Sequence, residues 1–248
     1  MIIGAVAFIS EFLDSGLGMG YGTALAPILI LMGQDPLRVT PAILISQFFT
    51  DIAAVLCHHS TGNVNFKSTS SDFRIALLLG MVSSIGVITS VLLAIRLPRW
   101  MLTLYIGLLV TAMGILICFT VKRPIRFSWA KIIGVSFLAA FNKGISGGGY
   151  GPLVMGGQLI SGVNPKNAVG ITAFAEAITC LVGFIAYFVS GKLIDWKLAG
   201  TLTLFAVFAV PLAALTVKNI YSDSLKRLVG ILIVVLGLMT LLKISAGG

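Results

Sequence analysis

Of the chain's 248 residues, 58% are hydrophobic and only 10% charged, and the mean hydropathy is +1.07. A soluble domain carries about a quarter of its residues as charged ones, and a soluble α/β enzyme would show apolar runs of about 4–8 residues between charged helices, so both are excluded. The net charge of +9 is carried almost entirely in short connecting loops such as Lys122, Arg123, Arg126 and Lys131; it reads as cytoplasmic anchoring of membrane spans, and with no basic domain large enough to bind nucleic acid, such a partner is not expected.

The first apolar segment, Ile2–Met32, has no Lys or Arg before it and holds Glu11 and Asp14. It therefore reads as part of the mature fold rather than a cleaved leader. A glycine-rich run around Tyr21 interrupts it. A continuous helix of that length would measure about 46 Å at 1.5 Å per residue, too long for a hydrocarbon core of about 30 Å. Broken at the glycines, its arms reach about 17–20 Å each, which predicts a hairpin that enters the membrane and returns. Three spans follow, Thr40–Cys57, Phe73–Ile95 and Met101–Val121.

The pattern then repeats: a broken segment over Trp129–Ile160, and spans over Ala168–Val189, Leu198–Val217 and Leu228–Ile244. At one constant offset Phe12 meets Phe141, Gly18 meets Gly147, Gly20-Tyr21-Gly22 meets Gly149-Tyr150-Gly151, Gly33 meets Gly162, Pro36 meets Pro165 and Gly62 meets Gly191. The expected fold is an all-α polytopic membrane protein of two repeats, residues 1–121 and 122–248. Each repeat is a re-entrant, glycine-broken segment followed by three transmembrane helices. Three spans are an odd number, so the second repeat is inserted upside down and the repeats are inverted. The distribution of Lys and Arg between the two sides favours hairpins over crossing segments.

Irregular backbone at membrane depth survives only where it lines a cavity or is buried in protein. Thr23 is positioned to cap the second arm of the first hairpin, and Pro152 suits the first turn of its counterpart. Both arms then aim their N-termini at the midplane, and helix N-termini offer free N–H groups and partial positive charge to an anion. The substrate-binding candidates are Gly18, Gly20, Tyr21, Gly22, Thr23, Gly147, Gly148, Gly149, Tyr150 and Gly151, with Lys143 as a nearby cation. The competing reading is that the glycines serve only close helix packing. Tyr21 and Tyr150 either cap the cavity through their hydroxyls or pack against neighbouring helices.

Ionisable groups inside a membrane are costly and suggest function; here they are Glu11, Asp14, Lys143 and Glu176. Asp14 and Lys143 are equivalent in the repeat, so either they form an ion pair or Lys143 faces the substrate. Gln47 is the equivalent of Glu176. Glu176 carries a proton or sits neutral in a hydrogen bond, and Asp14, Gln47 and Glu176 are the candidates for coupling or gating. A second function, a cation or metal permease, would use His58, His59, Asp51 and Glu176, although adjacent histidines chelate poorly. Cys57, Cys118 and Cys180 are isolated in apolar segments and read as buried thiols. No nucleophile, base and orienting group share a face, so an enzyme is not expected.

The two runs Gly18-Met19-Gly20-Tyr21-Gly22 and Gly147-Gly148-Gly149-Tyr150-Gly151, each continuing to a proline at Pro36 and Pro165, resemble the TauE/SafE sulfite exporter family over essentially the whole chain. The resemblance implies a multi-pass inner-membrane permease for small sulfur-containing or organic anions such as sulfite, sulfoacetate or thiosulfate. It also implies a small anion and the bilayer as partners, no cofactor, and a homodimer as the assembly to test for. Some thiosulfate-importing relatives line their path with cysteines, whereas neither glycine run here contains one. An anion leaving a cytoplasm-negative cell gains about 2.3 kcal/mol per charge per 100 mV, so export is the expected direction, and import would need coupling, for example through Glu176.

Overall fold

Left-handed glycines decide how both long apolar segments fold. In the computed structural model, which describes residues 2–18, 20–119, 129–192, 194–220 and 223–245, the first segment forms two helices, α1 (Ile2–Leu17) and α2 (Tyr21–Leu31). Between them Gly18 and Gly20 adopt φ of +72° and +144°, conformations that side chains with a Cβ resist. At about 24 Å and 16 Å by helical rise, neither helix spans a hydrocarbon core alone.

Next come α3 (Pro36–Ser60), α4 (Ser71–Ala94) and α5 (Arg99–Phe119). The second half repeats this order with α6 (Trp129–Ser146), α7 (Tyr150–Ile160), α8 (Pro165–Val189), α9 (Trp196–Ile220) and α10 (Asp223–Ser245). The break between α6 and α7 again falls on left-handed glycines, Gly147 at +74° and Gly149 at +79°. Both α3 and α8 begin earlier than hydropathy alone suggests. Asp35 accepts from the amide of Leu37 at 3.1 Å and Asn164 from that of Lys166 at 3.1 Å, each just ahead of a proline at the first helical position, where a missing N–H costs nothing. The basic loop with Lys122, Arg123 and Arg126 lies outside the described residues.

Among the described residues, 6 helices are long and apolar enough to cross a membrane: Pro36–Ser60, Ser71–Ala94, Arg99–Cys118, Pro165–Val189, Trp196–Leu215 and Arg227–Ile244. Their outward faces expose large apolar side chains such as Leu56, Ile85, Leu108, Phe208 and Leu242, the surface a chain presents to lipid rather than to water. The chain is a multi-pass membrane protein.

The packing mixes the halves. Helix α1 lies on α9 while α6 lies on α4, and α3 packs on both α8 and α9 while α8 packs on both α3 and α4. Exchanging the halves converts one set of pairs into the other. Helices α3 and α8 run antiparallel, since Gly183 lies against Leu44 and Gly170 against Val64. So do α5 and α10, where Gly107 faces Leu241 and Gly237 while Gly114 faces Val234 and Gly230. Those four glycines let the backbones approach closely, the usual basis of helix association in lipid.

Candidate functional site

The two glycine runs meet in the interior. A Cβ on Gly22 would lie 1.7 Å from the carbonyl oxygen of Gly147, and one on Gly148 would lie 2.7 Å from the carbonyl carbon of Gly22. The loops therefore touch backbone to backbone. Across the junction the N–H of Gly149 donates to Thr23 Oγ1 at 3.0 Å. This corrects the expected role of Thr23: Gly20 holds the cap position of α2, and the Thr23 hydroxyl serves the opposite loop instead. Pro152 does fall in the first turn of α7, which starts at Tyr150. Gly151 is buried with the rest of the second run.

The tyrosines turn away from the junction. Tyr21 shares a hydrogen bond of 2.6 Å with Ser46, and Tyr150 one of 2.9 Å with Ser83. Both are fully buried, with their hydroxyls bonded to serines of α3 and α4.

Open space lies beside the junction, in a recess of about 10 Å³ lined by Asp14, Ser15, Gly18, Asp51, Thr172 and Glu176 among others. Gly18, Asp14 and Glu176 of the expected residues meet here. Lys143 borders the same cluster with only 1% of its side chain exposed, and its Nζ stands 2.7 Å from Glu176 Oε1. Lys143 also donates to Gln47 Oε1, while Gln47 Nε2 donates to Asp14 Oδ2 at 3.1 Å. The cation of the site is thus paired with Glu176 and not with Asp14, its repeat equivalent. The physical reason is the inserted amide: Gln47 of α3 stands between them, accepting from Lys143 and donating to Asp14. Lys143 lies in the last turn of α6, where the carbonyl end of the helix dipole also favours a cation.

The histidines do not join this group. His58 Nε2 donates to the Ser15 carbonyl at 2.9 Å, and its Nδ1 accepts from Asn63 Nδ2 at 3.1 Å. His59 Nδ1 accepts from the Phe66 amide at 3.3 Å. Each is used to tie the end of α3 to its surroundings, which corrects the cation-permease set of His58, His59, Asp51 and Glu176: only the two carboxylates come together.

Asp51 and Cys180 are the residues that hydropathy undervalued. Asp51 follows Gln47 by one helical turn on α3, and Cys180 follows Glu176, the partner of Lys143, by one turn on α8. The i, i+4 spacing that puts each on the same face as its neighbour was readable from the sequence.

Comparison with known proteins agrees with this architecture. The family described as sulfite exporter TauE/SafE matches residues 3–240. The chain is also similar to the probable membrane transporter protein YtnM of Bacillus subtilis (strain 168), 24% identical over 256 residues that cover 98% of this chain and 83% of that protein. No solved structure matches it. With its multi-pass helices, two glycine-broken segments and a match over nearly the whole length, the chain belongs to the TauE/SafE family of membrane transporters.

Proposed function

We propose that the chain is an inner-membrane permease for a small sulfur-containing or organic anion such as sulfite or sulfoacetate, with the anion passing beside the junction of the two glycine loops. The observation that carries this reading is the meeting of Gly22 with Gly147 and Gly148 at the starts of α2 and α7, next to the buried cation Lys143. Two helix N-termini and an ammonium in one low-dielectric region favour a negative ligand. Lys143 supplies charge that Glu176 compensates while the site is empty; an arriving anion competes with Glu176 for the same ammonium. Unassisted, the membrane potential drives such an anion outward.

The repeats are inverted and each broken segment re-enters on its own side. Corresponding helices related by an axis in the membrane plane must be antiparallel, and the antiparallel pairs α3 with α8 and α5 with α10 support that arrangement. The test is flux in proteoliposomes with sulfite, sulfoacetate, thiosulfate and lactate. Saturable flux of one or more of these anions that is lost in Gly149→Val is the expected result; flux of none of them counts against the reading.

A further inference from the structure

The recess beside the junction gathers more carboxyl groups than the one neighbouring cation can pair with. Asp14 on α1, Asp51 on α3 and Glu176 on α8 each bring a carboxylate oxygen within 4.8 Å of the other two, and all three residues are buried. Glu11, one turn before Asp14 on α1, is buried as well, with Ser15 Oγ donating to its Oε1 at 2.6 Å. Lys143 faces them, already committed to Glu176 and Gln47. Burying four carboxyl groups against one ammonium is costly unless protons or a further cation neutralise them.

A second observation points to what joins them. Asp51 Oδ2 is sealed from solvent and has no hydrogen-bond partner among the described residues, and Asp51 lines the recess. The recess has room for one water-sized body. Its donors are oxygens: three carboxylates with the hydroxyl-bearing Ser15 and Thr172 at the wall. Carboxylate oxygens within 4.8 Å of one another suit a hard cation bound at 2.3–2.6 Å. Among the described residues no sulfur or imidazole belongs to the set, which disfavours the softer transition metals.

We propose that Asp14, Asp51 and Glu176 form a seat for one hard cation of the sodium or calcium class, which acts as the coupling ion of transport. The role rests on the anion-permease reading through Lys143. When an anion takes the ammonium, Glu176 is released to the cation, so each ligand strengthens binding of the other, and by linkage the effect is reciprocal. The cargo is still the anion; the cation moves with it and offsets its charge, so coupled transport follows the gradients of both ions in place of the outward pull of the membrane potential on the anion alone.

The test uses the full-length chain in detergent at fixed pH and ionic strength, with choline as the inert control. Titration with sodium, calcium and magnesium chlorides is followed by calorimetry and thermal unfolding. Sodium or calcium is expected to bind saturably and raise Tm, and which of them does so identifies the ion. Asp51→Asn should raise the half-saturating concentration at least tenfold, with Asp14→Asn as the second variant if the first does not fold. If no cation binds the wild-type chain above the choline control, the carboxylates carry protons only and the seat is overturned. Cation binding without flux of any anion in the panel upholds the seat and sinks the permease reading. Anion flux that is the same in sodium, calcium and choline overturns the coupling role.

Discussion

Lys143 and Glu176 form an ion pair at 2.7 Å in which the side chains are only 1% and 4% exposed. Two charges so deeply removed from water hold each other in place, and removing either strands the other. Lys143→Met is expected to destabilise the protein by about 3–5 kcal/mol, and Glu176→Gln similarly, whereas the double replacement should recover much of the loss. Thermal unfolding of the four proteins in detergent checks this. Additive losses in the double variant would mean that the two residues are supported independently.

The contact between the glycine loops leaves no room for a methyl group. Gly148→Ala places its Cβ 2.7 Å from backbone atoms of Gly22 and Thr23, neither of which can yield as a flexible side chain does. Destabilisation of about 1–3 kcal/mol is expected, together with loss of transport. Gly200→Ala is the control: it lies in α9 with nothing within 4 Å of the added Cβ. It should be neutral or stabilising by up to about 1 kcal/mol. Equal Tm changes in the two variants would show that the junction is looser than drawn.

Thr23 contributes one hydroxyl to the opposite loop. Thr23→Val keeps the shape but leaves the buried N–H of Gly149 without its acceptor, a loss of about 1–3 kcal/mol. Thr23→Ser should retain most of the stability. A Val variant as stable as the Ser variant would show that another group satisfies the amide.

Topology is open to chemical labelling. If the first broken segment is a hairpin, Ile2→Cys and Gln34→Cys, made singly in a chain lacking Cys57, Cys118 and Cys180, are modified by an impermeant maleimide from the same side of the membrane. Ile2 is 74% exposed and Gln34 sits beyond the end of α2, so both are reachable. Modification from opposite sides would mean that the segment crosses and that the repeats are parallel.

Cys180 is fully buried one turn after Glu176, which pairs with Lys143. If the anion passes Lys143, Cys180→Trp should block flux by bulk, while Cys180→Ser should preserve it within about twofold, since Ser keeps nearly the same volume. Full flux through a well-folded Trp variant would place the path elsewhere.

The architecture was legible because it depends on local rules. Left-handed glycines at Gly18, Gly20, Gly147 and Gly149 interrupt helices wherever they occur in apolar sequence, and the Asp35-Pro36 and Asn164-Pro165 pairs start helices through their own side chains. The sequence singled out Asp14, Gly18 and Glu176, which the fold brings to one recess, but it misjudged the pairing around Lys143. Repeat equivalence suggested Asp14 with Lys143, yet the pairing is decided by which side chain of α3 and α8 reaches the last turn of α6. Gln47 and Glu176 get there first. Asp51 looked like a companion to the histidines because it precedes them by whole turns on one helix, but His58 is held by the Ser15 carbonyl and by Asn63. Side-chain hydrogen bonding across helices overrides spacing along one helix.

The junction itself is closed by very little. At Gly22 and Gly148 it consists of peptide groups in contact, and the described side-chain link across it is the single bond from Gly149 to Thr23. A bond of that kind contributes about 0.5–1.5 kcal/mol net. The contact between the two loops therefore rests on backbone packing and one hydroxyl rather than on interlocked side chains. If the anion passes beside this contact as proposed, a small displacement of the two loop tips is enough to open a way, with no rearrangement of the 6 long apolar helices among the described residues.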